Sequence, residues 1–151
     1  MEEFFTQILS NKPLWAGGWA WLIAQVVKPP LHFITRREWK WELLVSAGGF
    51  PSSHSALMVG TTIGIGIQEG FQSPLFALAW VISMIVIYDA TGVRRQAGDH
   101  ARILNLMIDE LFTGHPLAEK ELKERLGHTP REVLGGVVLG LITALVVMLG
   151  F

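Results

Sequence analysis

In the run Gly49-Phe50-Pro51-Ser52-Ser53-His54-Ser55, a histidine follows two hydroxyl residues at the point where a polar loop enters an apolar segment. Imidazole gives or takes a proton near neutral pH. A helix opening at this point would turn its first backbone N–H groups and the positive end of its dipole toward an anion. Phosphate handling at a membrane surface is therefore the leading expectation. Polar groups also mark the ends of the other apolar runs: Lys28 closes one, Asp89 with Arg94 and Arg95 closes another, and His128 with Glu132 opens the last. A phosphomonoester needs cations for its non-bridging oxygens, a nucleophile or activated water, and an acid for the leaving alkoxide. Arg94 and Arg95 offer planar, multidentate donors, with Lys28 and Arg36 as further charge. One of His54 and His128 could attack phosphorus while the other protonates the leaving oxygen.

Simpler roles compete for the same residues. Glu132 lies four residues after His128, so a helix places both on one face, where a carboxylate can fix the imidazole tautomer. Yet Thr129-Pro130-Arg131-Glu132 also reads as a capping box with proline at the first helical position. Ser52 and Ser53 precede an apolar helix, the usual place of an N-cap. Asp89 beside two arginines reads as an ion pair that orients them, and His32 and His115 read as surface loop residues. His100 beside Asp99 has no ligand spacing around it, so no metal is expected.

The elements that must position these groups are apolar. Half of the 151 residues are hydrophobic and there is no cysteine, which excludes disulfides and thiolate metal sites. The mean hydropathy of +0.41 favours a membrane solvent over a soluble globular fold. Apolar runs at 14–27, 55–67, 75–88 and 133–151 predict four helices in one domain, 1–151. Only the last approaches the roughly 20 residues that span a bilayer, and the first three would also suit a buried soluble bundle. Trp15, Trp19 and Trp21 toward the start of the first run, and Trp39 and Trp41 after its end, extend that span as aromatic belts do. The opening Met-Glu-Glu-Phe-Phe lacks the basic region and cleavage site of a signal peptide, so the first helix is expected to be retained. Glycine pairs at 60 and 64 and at 136 and 140 let backbones approach closely, by tight packing within the chain or along a homo-oligomer seam.

Four spans put segments 28–54 and 89–132 on one side. Eleven of the twelve Lys and Arg residues lie there, which orients that side to the cytoplasm. Within it, Ile103, Leu104, Met107, Ile108, Leu111 and Phe112 recur at helical spacing opposite Arg102, Asn105, Asp109 and Glu110. That pattern suits a helix in the interface and a face docked on the bundle equally. The charged stretch 117–126, with Glu119/Lys123 and Glu121/Arg125 pairs, reads as a solvated helix that could cover the polar site.

The runs Phe50-Pro51-Ser52-Ser53-His54-Ser55, Asp89-Ala90-Thr91-Gly92-Val93-Arg94-Arg95-Gln96-Ala97-Gly98 and Leu126-Gly127-His128-Thr129-Pro130-Arg131-Glu132-Val133 together resemble the divergent PAP2 family of small bacterial and plant membrane proteins. That family is similar to type 2 phosphatidic acid phosphatases, all-helical enzymes that share a fold with vanadium haloperoxidases and work without metal through a phosphohistidine. The resemblance implies phosphate contacts from Ser52 and the following backbone at Ser53, and proton donation by His54. It further implies His128 as nucleophile, Glu132 as its orienting carboxylate, and Lys28 with Arg36 as the first basic motif. The departures are specific. Ser53 and Glu132 replace the glycine and aspartate of those phosphatases, and the first basic pair is one residue wider and lacks its proline. The nearest match to the arginine before the nucleophile is Arg94 or Arg95, over thirty residues ahead of His128.

The sequence thus predicts an all-α integral membrane bundle, with about four transmembrane helices and further interfacial or cytoplasmic ones. Its expected activity is metal-independent phosphatase action on a lipid phosphate at the cytoplasmic interface of a bacterial inner membrane. Cytoplasmic exposure favours an intermediate of phospholipid synthesis such as phosphatidate or phosphatidylglycerophosphate. No cofactor and no nucleic-acid partner are expected; the partners are the phosphorylated lipid, the bilayer and a possible second copy. Two rivals remain: a phosphate- or lipid-binding protein that regulates or scaffolds a membrane complex, and a small transport or assembly subunit.

Overall fold

The computed structural model describes residues 1–46, 48–112 and 127–150; within its fifth helix the side chains of Val93, Arg94, Arg95, Asp99, Asp109, Glu110 and Phe112 are excepted. Among the described residues six α-helices run in order: α1 (Glu2–Ser10), α2 (Lys12–Arg36), α3 (Ser53–Glu69), α4 (Pro74–Thr91), α5 (Val93–Phe112) and α6 (Pro130–Gly150). A short 3₁₀ turn at Trp41–Leu44 follows α2, and no strand occurs among the described residues. The all-α expectation holds.

Caps set most of the boundaries. The Asn11 side chain accepts from the Leu14 N–H at 3.1 Å, and Pro13 occupies the first turn of α2. Ser73 caps α4 in the same way, accepting from Phe76 N at 3.2 Å with Pro74 at the first position. α2 ends at Arg37, whose left-handed φ of 59° turns its N–H onto the Phe33 carbonyl at 2.9 Å. The sequence placed Lys28 at the end of this helix, but α2 runs through Pro29 and Pro30 to Arg36, with Pro29 buried among its neighbours. The missing proline N–H bonds are a local cost that tertiary contacts outweigh. α1 was not foreseen; it exposes Phe4, Phe5 and Leu9, and Glu2 and Glu3 sit at its dipole-favoured start.

The packing is inverted relative to a soluble bundle. Among the described residues the buried hydrophobic side chains are all alanines: Ala16, Ala20, Ala24, Ala56, Ala90, Ala101 and Ala144. Leu78, Val81, Ile85, Leu134, Val138, Ile142 and Val146 point outward. A water-soluble core would bury such residues; an apolar solvent removes that incentive and leaves close backbone packing to hold the helices. α3 is central, packing on α2, α6 and α4. A Cβ on Gly60 would lie 2.9 Å from the Ala16 carbonyl, and one on Gly64 2.9 Å from Pro13 Cα. Gly136 and Gly140 meet α3 in the same manner, so both glycine pairs serve packing inside the chain. Thr62 and Ser83 share a hydrogen bond of 2.7 Å between α3 and α4 where both are buried.

α6 and the stretch that opens with α4 are long and apolar enough to cross a bilayer. The same measure does not carry the expected count of four. α3 has 17 residues, and the tryptophans, prolines, Gln25 and Lys28 dilute α2. On α5, Ile103, Leu104, Met107 and Leu111 are exposed, so this apolar face is not docked on the bundle. The expected charged helix at 117–126 and His115 lie outside the described residues.

Candidate active site

Main-chain bonds draw three helix ends together. The Ser52 N–H donates to the Glu132 carbonyl at 2.8 Å, joining the mouths of α3 and α6. The His128 N–H donates to the Ala90 carbonyl at 2.8 Å, joining the same point to the end of α4. His54, in the first turn of α3, and His128, just before α6, therefore face each other with ring centroids 5.7 Å apart and planes at 89°. His128 is 3% exposed and His54 half-buried.

Lys28 arrives from α2 and is 1% exposed. Its ammonium donates to the Gln25 side-chain oxygen, to the Ser46 carbonyl at 2.9 Å, and to the Ser53 hydroxyl at 3.4 Å. It also lies near enough to Glu132 for the two charges to interact. A cation, the start of a helix and two imidazoles thus converge at one end of the bundle, and a cation beside a helix start can hold an oxyanion.

The remaining residues named from the sequence divide. Ser52 is the N-cap of α3: its hydroxyl accepts from Ser55 N at 3.3 Å and from the Ser55 hydroxyl at 3.0 Å. Ser53 is buried against Lys28. Glu132 forms the capping box, its carboxylate accepting from Thr129 N at 2.9 Å while Thr129 Oγ1 accepts from Glu132 N at 3.4 Å. Arg36 is exposed eight residues beyond Lys28 on α2, roughly 12 Å further along the axis. Arg94 and Arg95 belong to the first turn of α5, next to the end of α4, and their side chains lie outside the described ones. His32, expected in a loop, lies within α2, where its Nδ1 is 2.9 Å from the Glu38 carbonyl. His100 is exposed on α5.

Two residues that the sequence did not single out complete the cluster. Gln25 is 7% exposed and donates to the Leu44 carbonyl at 2.9 Å, and Ser46 supplies the carbonyl on which Lys28 rests. Gln25 had a usable signal, as a lone amide one helical turn before the lysine in an apolar run. Ser46 acts through its main chain, which residue type does not reveal.

The capping box makes a clean prediction about Glu132. Glutamine fills the same position in such boxes, so Glu132→Gln should cost only a few tenths of a kcal/mol in stability. Thr129→Ala should cost about 1 kcal/mol. Thermal unfolding of the two variants side by side checks this. Equal losses would mean that the Glu132 charge, rather than the cap, holds the start of α6.

A histidine pair, a buried lysine and a helix mouth meet at one end of this helical bundle, and comparison with known proteins gives the chain a family. Residues 9–143 match the divergent PAP2 family. The chain is 42% identical to an uncharacterized membrane protein, YuiD, of Bacillus subtilis (strain 168), over 93% of this chain and 96% of that protein. The chain belongs to the divergent PAP2 family. No solved structure matches it significantly.

Proposed function

We propose that the protein is a metal-independent membrane phosphatase that hydrolyses a lipid phosphate at the cytoplasmic face through a phosphohistidine. In this reading α2, α3, α4 and α6 are the four spans and α5 lies in the interface on its apolar face; the basic excess of the connecting segments supports a cytoplasmic position for the joined helix mouths. The observation that supports this reading most is the pair of facing imidazoles, His54 and His128, beside a buried Lys28.

In this reading the lipid headgroup enters between the helix mouths from the inner leaflet. Lys28, the backbone at the start of α3, and the arginines that open α5 hold the non-bridging oxygens. A ring nitrogen of His128 attacks phosphorus; the P–N bond forms as the P–O bond to the lipid breaks. His54 gives its proton to the departing alkoxide. Water, deprotonated by His54, then attacks phosphorus, the P–N bond breaks, and inorganic phosphate leaves with both histidines restored. Glu132, four residues after His128, orients the ring. The imidazole, the cations and the proton donor supply each requirement of the reaction from the chain itself.

Phosphate release by the purified protein in detergent with EDTA, across a panel including phosphatidate and phosphatidylglycerophosphate, tests it. EDTA-resistant release from at least one lipid is expected; none from any lipid would sink the hydrolase reading. A second reading has its own support: Lys28 already makes three hydrogen bonds and Glu132 is held in a cap, which suits a phosphate- or lipid-binding protein with slow turnover or none. Vanadate binding without hydrolysis would favour it.

A further inference from the structure

We infer that Gln25 is a positioning residue for the phosphate site: it aims the Lys28 ammonium at the mouth of α3, where the phosphoryl oxygens of the substrate are to be held. The inference rests on the phosphate-site reading above and deepens it.

An ammonium has three donors and swings on a flexible four-carbon stem. Left alone in an apolar helix end, it would turn toward any available carbonyl. Here two of its hydrogen bonds fix its direction. One goes to the Gln25 side-chain oxygen, one helical turn back on α2, and one to the Ser46 carbonyl at 2.9 Å. The third points to the Ser53 hydroxyl at 3.4 Å, the longest and weakest of the set. Ser53 opens α3, so the loosely used donor lies at the mouth of that helix. A phosphoryl oxygen at the helix mouth takes this donor in place of Ser53 at small cost.

Gln25 suits the role because its two ends do different work. Its oxygen holds Lys28, while its nitrogen donates to the Leu44 carbonyl at 2.9 Å and, at the longer distance of 3.5 Å, to the Ser46 carbonyl. The amide thereby ties the end of the 3₁₀ turn and the residues just after it to α2, and holds the carbonyl that carries the second bond of Lys28. Its burial keeps water from competing. A carboxylate in its place would lose the donor and neutralise the cation.

The test uses the full-length protein in detergent, with orthovanadate as the anion probe beside lipid phosphate turnover. Gln25→Leu should weaken vanadate binding about tenfold and raise KM by a similar factor with a smaller change in kcat, as expected when one hydrogen bond to a charged group is lost. Gln25→Glu should weaken binding at least as much. The decisive comparison is in a Lys28→Met background, where Gln25→Leu should have little further effect on vanadate affinity, because the amide acts through the lysine. A merely structural glutamine would lower affinity and thermal stability alike in both backgrounds, and that result overturns the inference. So does wild-type affinity in Gln25→Leu. Should Gln25→Leu fail to fold, Gln25→Met, neutral and of similar shape, carries the same comparison. Vanadate binding without turnover would defeat the hydrolase reading and leave this inference to the affinity ratio; no binding by the wild type would defeat both.

Discussion

His128→Ala is expected to lower phosphate release by at least about a thousandfold, the scale of losing a covalent nucleophile. It should also abolish a phosphoenzyme that is labile in acid and stable in base, as a P–N bond is. His54→Ala should behave differently. In the proposed mechanism its ring supplies the proton for the departing alkoxide, so its loss should matter for a lipid alkoxide and much less for an aryl phosphate, whose leaving group needs little protonation. With an aryl phosphate, His54→Ala should still form the phosphoenzyme and accumulate it, because the water that clears it lacks its base. The rings face each other and share no sequence neighbourhood, so exchanged phenotypes would mean that the roles are exchanged. His128 is nearly fully buried and its removal leaves a cavity. His128→Gln and retained vanadate binding therefore serve to separate lost chemistry from lost folding. Undiminished release by a folded His128→Ala protein would end the phosphohistidine mechanism.

What could be read from the sequence, and what could not, follows from the kinds of interaction involved. The mouths of α3 and α6 were visible because Ser-Ser-His-Ser and Thr-Pro-Arg-Glu are local signals, made within one turn of chain. That the two mouths meet is a long-range fact. It depends on the Ser52 N–H reaching the Glu132 carbonyl, a bond between main-chain atoms that residue types cannot announce. The glycine pairs showed that helices would approach closely without showing which; the structure puts Gly60 and Gly64 against α2, and Gly136 and Gly140 against α3. The continuation of α2 through Pro29 and Pro30 was hidden because local propensity argues for a break there. Hydropathy picks out α6 and the stretch that opens with α4, and passes over α2 and α3 for a related reason. α2 and α3 bury small and polar residues against each other, so they need not be apolar all round.

The second large effect is expected at a residue with no side-chain chemistry of its own, Gly136. A Cβ there would run into the Ser52 carbonyl and lie 2.9 Å from Ser55 Cβ and 3.2 Å from Ala56 N. These are mostly main-chain atoms of α3 and cannot turn aside as a flexible side chain would, so α3 and α6 must separate. Overpacking of this kind costs about 1–3 kcal/mol. The separation falls one turn from the Ser52–Glu132 bond and therefore opens the gap between His54 and His128. A misplacement near 1 Å costs about a hundredfold in rate; Gly136→Ala should thus lower both the unfolding temperature and phosphate release, the latter by about that factor. Gly140→Ala meets the Ala56 carbonyl at 2.6 Å but lies one turn farther from the histidines, so it should cost comparable stability and less activity. Gly18→Ala is the control: nothing lies within 4 Å of its added Cβ, and it should be neutral or slightly stabilising through better helix propensity. Thermal unfolding and turnover of the three variants check the order. If Gly136→Ala and Gly140→Ala lost activity equally, the bundle as a whole, rather than the joined helix mouths, would set the distance between the imidazoles.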